Sequence, residues 1–399
     1  VTEVRMRIGR TAGAIGLIAT VIAAGSSGAT AADDGGLRRT ATEILATATP
    51  GDPLKVVTTT RTAGAPEITT KVASSRSNAL DLIVAGLKKR STVGVDIAHE
   101  VHIDLSDDPL RARQWALTRL GAETAWKTST GRGVVVAVID TGVRAGHVDL
   151  RGHILTGYDF LAPGTPPTDE NGHGTHVAGI ITAIANNGRG IAGLAPNTRV
   201  LPIRVLDRSG VGDSATVAKG IVWAVDHGAK VINLSLSSTR SDTAGRAAVA
   251  YAISKNVVVV AAAGNNGCGL FGSPRSYPAA YDGVLGVGAI QSNGAVASFS
   301  SCGSWVDVAA PGSGILSTTS ADPDPSLGCP PHFCTLSGTS MASPYAAAAA
   351  ALEIAKVGSG VSQATIRSLI QSTADDAGST GYDTRTGYGV INPRRMLAR

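Results

Sequence analysis

Six stretches of the chain are apolar with little interruption: residues 133–140, 199–206, 231–236, 257–263, 284–289 and 305–309. A strand with one wet face alternates apolar and polar positions. These stretches do not alternate, as expected of strands buried on both faces in a parallel sheet. Between them, residues 175–185, 214–227 and 243–255 carry apolar residues at helical spacing, and 363–373 reads as a closing helix. Strand–helix alternation predicts an α/β fold: a doubly wound, mostly parallel sheet flanked by helices.

Upstream of residue 114 the pattern is different. Residues 54–60 and 67–73 read as two strands joined by a turn at 63–66. A helix is expected over 77–89 and a further strand over 93–103, which makes a small α+β unit. Residues 33–53 read as a loose linker, and the polar turn at 106–109 marks a boundary. The start of the chain has the pattern of an export signal. Arg5, Arg7 and Arg10 precede an apolar stretch at 12–24, too short to span a bilayer comfortably, and Ala29-Thr30-Ala31 offers a cleavage site. The expected organisation is a signal peptide at 1–31, a propeptide at 32–107 and a catalytic domain at 108–399, released without a membrane anchor.

Composition changes this picture little. Hydrophobic residues at 43% of 399 allow a large core and exclude wholesale disorder. The net charge of +5 comes from scattered Lys and Arg without a basic run, so nucleic acid is not an expected partner. Four cysteines, Cys268, Cys302, Cys329 and Cys334, in an exported chain suggest disulfides with three conceivable pairings. The short Cys329–Cys334 loop looks stapled on itself, which leaves Cys268 with Cys302. The paired CxxC spacing of a zinc ribbon is missing.

The chemistry gathers at strand ends and at one turn. In Leu336-Ser337-Gly338-Thr339-Ser340-Met341-Ala342-Ser343-Pro344, small residues bracket Ser340 just before an alanine-rich run. A turn opening a buried helix is expected, with Pro344 in its first turn and Ser340 beside outward-pointing N–H groups. Serine alone is inert near neutral pH and needs a base. Asp140 and Asn265 end two of the apolar strands, where ligands bind in open α/β sheets. His173 opens a helix in Asn171-Gly172-His173-Gly174-Thr175-His176. Singly, each of these is most simply a cap or a turn former. Together, in the order Asp140, His173, Ser340, they are the three parts of a serine-hydrolase triad.

On these residues the chain from 114 to about 395 resembles the subtilisin-like serine proteases, the subtilases. The motifs are Val138-Ile139-Asp140-Thr141-Gly142, His173-Gly174-Thr175-His176-Val177-Ala178-Gly179, Ala262-Ala263-Gly264-Asn265 and Ser337-Gly338-Thr339-Ser340-Met341-Ala342-Ser343-Pro344, in family order. The resemblance implies that Asp140 orients His173, that His173 is the general base, that Ser340 is the nucleophile and that Asn265 donates to the oxyanion. It implies that Ser235, Leu236 and Ser237 pair with an extended peptide, and that Ala262, Ala263 and Gly264 line the main specificity pocket. It implies a protein or peptide substrate, the chain's own propeptide as inhibitor and folding aid, self-cleavage between about residues 104 and 111, and a monomer. No cofactor is expected for the chemistry. Structural calcium is the one metal it points to, through Asp149 and Asn187, although Arg189 puts a positive charge nearby.

Competing motifs carry less. His173 and His176 form H-x-x-H without the Glu of a zinc helix, and the glycine pattern at 188–193 does not follow a strand. The sequon at Asn233 falls in an inner strand. Two other functions fit the same motifs: a processing protease dedicated to few targets, or a catalytically silent binding protein on the protease scaffold. Loss of a triad residue would favour the silent protein, and none is lost.

Overall fold

The structure, a computed structural model, describes residues 39–48, 54–63, 65–98, 108–270, 272–358 and 360–399. The signal-like stretch, most of the linker and the end of the last upstream strand lie outside these. The chain divides into two compact units, Val1–Ile103 and Asp104–Arg399.

The first unit holds helix α1 (Ala41–Ala46), strands β1 (Lys55–Thr60) and β2 (Glu67–Val72), helix α2 (Arg76–Leu87) and strand β3 (Thr92–Ile97). The sheet is antiparallel in the order β2-β1-β3. Its core is small: Ile44 and the helix residues Ala79, Ile83 and Leu87 pack on Val56, Val95 and Ile97. The α1 helix corrects the expectation of a loose linker over 33–53. Its start is secured by Thr40 and Glu43, whose side chains each bond the other's backbone N–H, a capping box.

The second unit contains helices α3 (Trp115–Leu120) and α4 (Ala122–Trp126), then β4 (Val135–Asp140), β5 (Tyr158–Asp159), α5 (His173–Thr182), β6 (Arg199–Arg204), α6 (Ser214–Asp226), β7 (Val231–Leu234), α7 (Thr243–Ser254), β8 (Val258–Ala262), β9 (Leu285–Ile290) and β10 (Val308–Pro311). It closes with the hairpin β11 (Ile315–Thr318) and β12 (Phe333–Leu336), and helices α8 (Thr339–Val357), α9 (Gln363–Ser372) and α10 (Pro393–Leu397). Seven strands form one parallel sheet in the order β10-β9-β8-β7-β4-β6-β5. The unbroken apolar runs are explained by two cores. Val136, Val138, Val260 and Val287 face α5 and α8, while Ala137, Ile139, Ile232 and Val259 face α6 and α7. Residues Ala346 to Ala351 of α8 are all buried, and their small side chains let the helix lie close to the sheet.

Three differences from the sequence reading bear on function. β10 starts at Val308 rather than Trp305, because the Trp305 indole turns back to donate to the Ala263 carbonyl at 3.1 Å. Helix α5 opens at His173 as expected but ends at Thr182, short of residue 185. Pro344 is the sixth residue of α8, beyond the first turn. There it lacks the N–H that would bond the Ser340 carbonyl. The Ser235 hydroxyl donates to that carbonyl instead, at 2.8 Å.

Candidate active site

Parallel strands deliver their carboxyl ends to one edge. Asp140 is the last residue of β4, and its side chain is fully buried. Helix α5 packs over that strand end, and a Cβ on Gly174 would collide with the Gly142 carbonyl, so glycine is required for the approach. His173, the first residue of α5, thereby meets Asp140, with Nδ1 2.8 Å from Oδ1. The carboxylate accepts from Nδ1, which leaves Nε2 facing outward. The imidazole keeps 20% of its side-chain surface exposed. Burial by itself would push its pKa down, but the charge and hydrogen bond of Asp140, with the charge of Asp169, raise it above the ordinary 6.5.

The turn before His173 is held by a residue that pattern reading missed. Asp169 is buried and accepts five hydrogen bonds: from the backbone N–H of Asn171, Gly172 and Thr175 and from the hydroxyls of Thr141 and Thr175. Burial pushes its pKa up despite those bonds. Thr141 in turn accepts from Gly174 N at 2.9 Å, so one carboxylate ties the strand end bearing Asp140 to the helix bearing His173. An Asp two residues ahead of Asn-Gly, as in Asp169-Glu170-Asn171-Gly172, is the local signal for such a turn.

Ser340 is the second residue of α8, where the first N–H groups lack intrahelical partners. Its hydroxyl donates to the Ser235 carbonyl at 3.1 Å rather than to the imidazole. Ser235 is fixed by a buried chain: Asn233 Nδ2 donates to its Oγ at 2.9 Å, and Ser343 donates to Asn233 Oδ1 at 2.7 Å. Asn233 is fully buried, which accounts for its sequon being irrelevant. Asn265 lies against Gly338 and Thr339, the residues just before Ser340. Its Oδ1 accepts from both the backbone N–H and the hydroxyl of Thr339, each at 2.9 Å. That fixes the orientation of the amide and leaves Nδ2 for a ligand.

A cleft of about 740 Å³ runs from His173 along Ser235, Leu236 and Ser237 towards Tyr277 and Tyr281. Ala262, Ala263 and Gly264 are buried behind Asn265, and Gly264 N donates to Thr339 Oγ1. The cysteines pair as Cys268–Cys302 and Cys329–Cys334. His176 is structural: its Nε2 donates to the Ile315 and Cys334 carbonyls, and burial pushes its pKa down to about 3, so it stays neutral.

Asp149 and Asn187, the residues expected to hold calcium, come from two segments that meet outside the cleft. Asp149 is fully buried and accepts from Ile191 N at 2.9 Å and Asn187 Nδ2 at 3.2 Å. Asp108, also buried, accepts from the N–H groups of Asn186 and Asn187. Two carboxylates thus converge on one loop, and burial raises the pKa of Asp149, followed in smaller measure by the charge of Asp108. Asn187 turns its amide nitrogen to Asp149 and its oxygen to Arg189 N. The carboxylates fit a hard cation, whereas the amide as placed does not. Among the described residues, no cluster of three or more His, Cys, Asp or Glu side chains is grouped to hold a metal.

A parallel sheet that gathers an aspartate, a histidine and a helix-end serine has the make-up of a serine hydrolase. A sequence model of the subtilase family matches residues 131–389. The chain is 47% identical over 269 residues to a thermophilic serine proteinase of Bacillus sp. (strain AK1), a match covering 67% of this chain and 63% of that protein. It is 43% identical to thermitase of Thermoactinomyces vulgaris over 292 residues, covering 73% of this chain and 98% of thermitase. In structure it is similar to a protease from Pseudoalteromonas arctica PAMC 21717, with TM-score 0.67 and 34% identity over 73% of this chain and 98% of the other. The chain belongs to the subtilase family and is a subtilisin-like serine protease, a hydrolase.

Proposed function

We propose that the protein is a secreted serine endopeptidase in which Ser340 attacks the substrate carbonyl, His173 takes the proton and Asp140 orients the imidazole. The observation that carries this is the 2.8 Å bond between His173 Nδ1 and the buried Asp140 carboxylate, because it fixes the tautomer with Nε2 free to accept. The Ser340 hydroxyl must leave the Ser235 carbonyl and turn to Nε2 as substrate arrives; apo contacts of this kind tighten only in the complex. As Oγ bonds to the carbonyl carbon, the carbonyl oxygen takes the negative charge and the proton passes to Nε2. Asn265 Nδ2 and the Ser340 N–H stabilise that oxygen. Nε2 then returns the proton to the leaving amine, and water repeats the sequence to free Ser340. Ser235 to Ser237 supply an edge for an extended peptide, with Ala262, Ala263 and Gly264 behind the cleaved residue's side chain. Purified wild-type enzyme should cleave a random peptide library that Ser340→Ala leaves intact.

The chain is matured in this reading. Residues 1–31 direct export, consistent with the two disulfides of the described unit. Residues 32–107 act as a propeptide that assists folding of the distant-paired parallel sheet and inhibits the mature, monomeric enzyme until degraded. Leu110 N donates to the Gly190 carbonyl at 2.7 Å and Arg111 pairs with Glu123, so the second unit is already anchored there. We therefore narrow self-cleavage to the segment before Asp108. Calcium in the 186–191 loop, held by Asp149 and Asp108 with Asn187 turned over to present its oxygen, would stabilise the fold without entering the chemistry. N-terminal sequencing should find wild type beginning near residue 108 and Ser340→Ala uncut; an active enzyme beginning near Ala32 would refute the propeptide.

A further inference from the structure

Between β11 and β12 the chain makes a long excursion over residues 319–332. Connections of this length within a compact unit are uncommon and often functional. This one is pinned at both ends. Thr319 N donates to the His332 carbonyl at 2.7 Å, and the Cys329–Cys334 bridge closes the return arm. Ala321, Asp322, Pro325 and Ser326 stay exposed, but the tip folds onto the turn that carries His173. Asp324 N donates to the Asn171 carbonyl at 2.7 Å. The Asp324 carboxylate accepts from Ser326 N at 2.8 Å and opens a single 3-10 turn, Pro325–Leu327. Pro323 is buried, and Asp322 pairs with Arg208 at 3.3 Å.

The contact with the turn is tight. Gly172, immediately before His173, has φ +112°, and a Cβ there would lie 2.6 Å from Thr319 Oγ1, 3.2 Å from Pro323 Cβ and 3.5 Å from Leu327 Cδ1. The rest of the half-buried Leu327 side chain lines the cleft beside His173, together with Ser326, Asn171, Leu206 and Gly210. The near end of the cleft therefore has an apolar wall built from a loop outside the sheet.

Strand geometry says what meets that wall. In an extended peptide, successive side chains point to opposite sides. If the cleaved residue sends its side chain towards Ala262–Gly264, its neighbour on the acyl side sends its own towards His173. We propose that the 319–332 loop is a specificity element, in which Leu327 and Leu206 receive that neighbouring side chain and select an apolar one. This rests on the peptidase reading above and extends it to the substrate class: peptides with an apolar residue next to the cleaved one.

The test is the cleavage profile of the mature enzyme on peptides varied only at that neighbouring position, for wild type, Leu327→Asp and Leu327→Trp. Wild type should favour leucine or valine there over glycine and glutamate. Leu327→Asp should lose roughly 10-fold of its discrimination between leucine and lysine, the low end for losing apolar contact in a pocket. Leu327→Trp, which fills the space, should move the preference to glycine and alanine. Identical profiles in all three proteins would overturn the proposal, as would a uniform loss of activity with an unchanged profile. A wild type that cleaves none of the peptides and takes no label from a serine-directed reagent would overturn the peptidase reading, and this one with it. A labelled, active wild type with a flat profile at that position would overturn the loop alone.

Discussion

In the proposed triad, the base half and the nucleophile half are built on different terms. On the base side nothing is left to rotate. The His173 ring is bonded to Asp140, its backbone N–H donates to Asn171 Oδ1 at 3.0 Å, and Asp169 gathers the turn and the strand end around it. On the nucleophile side the backbone is fixed, with Ser235 Oγ on the Ser340 carbonyl, yet the reacting hydroxyl makes a single 3.1 Å bond. A proton acceptor must keep one orientation through both proton transfers, whereas the nucleophile must swing between its resting partner, the base and the carbonyl. Rigidity is placed where a small displacement would be most costly, and one rotor is left free.

Removing the rotor should have the largest effect. Ser340→Ala should lower kcat by about 10⁶, the loss known for subtilisin itself, measured with autolysis-free enzyme on a peptide substrate. Asp140→Asn tests the fixed half: about 10⁴ in kcat with folding intact, because the amide holds the ring in the wrong tautomer. A loss below tenfold would mean that the Asp140 bond is structural only. Asn265→Ala should cost about 10²–10³ in kcat with KM little changed, again the magnitude known for subtilisin, since its Nδ2 acts only while charge sits on the carbonyl oxygen. A pure KM effect would make it a ground-state binding residue.

The smallest effect is on pH. If His173 is the base, as proposed, only its neutral form accepts the proton, so activity should rise as pH passes upward through its pKa. That pKa lies above 6.5 once burial, which lowers it, is outweighed by Asp140 and Asp169, which raise it. Asp169→Asn should shift the acid limb to lower pH, and it should also destabilise the fold, at roughly 1–3 kcal/mol for each N–H left without its acceptor. An unmoved limb in a folded variant would remove Asp169 from the electrostatics of the base.

What the sequence discloses is governed by range. The sheet was legible because burial on both faces leaves unbroken apolar runs such as 257–263, and the candidate site because Asp140, His173, Asn265 and Ser340 sit where strands end or helices begin. The β11–β12 hairpin was not legible. Ser317 and Thr318 look like surface residues, but they are buried with their hydroxyls on the His176 and Thr175 carbonyls of α5. Pro344 was misplaced because its missing donor is compensated by Ser235, more than a hundred residues earlier. Leu327 carries no pattern at all; its role depends on a loop folding back onto Asn171.

Covalent capture distinguishes Ser340 as the nucleophile of a base-fixed triad from a serine with a structural role only. Wild type and Ser340→Ala would be treated with a phenylmethanesulfonyl-type reagent and the adduct located by peptide mass spectrometry. We expect one adduct, on Ser340, forming in step with loss of activity and absent from the variant. An adduct elsewhere that abolishes activity, or full activity in Ser340→Ala, would contradict the assignment.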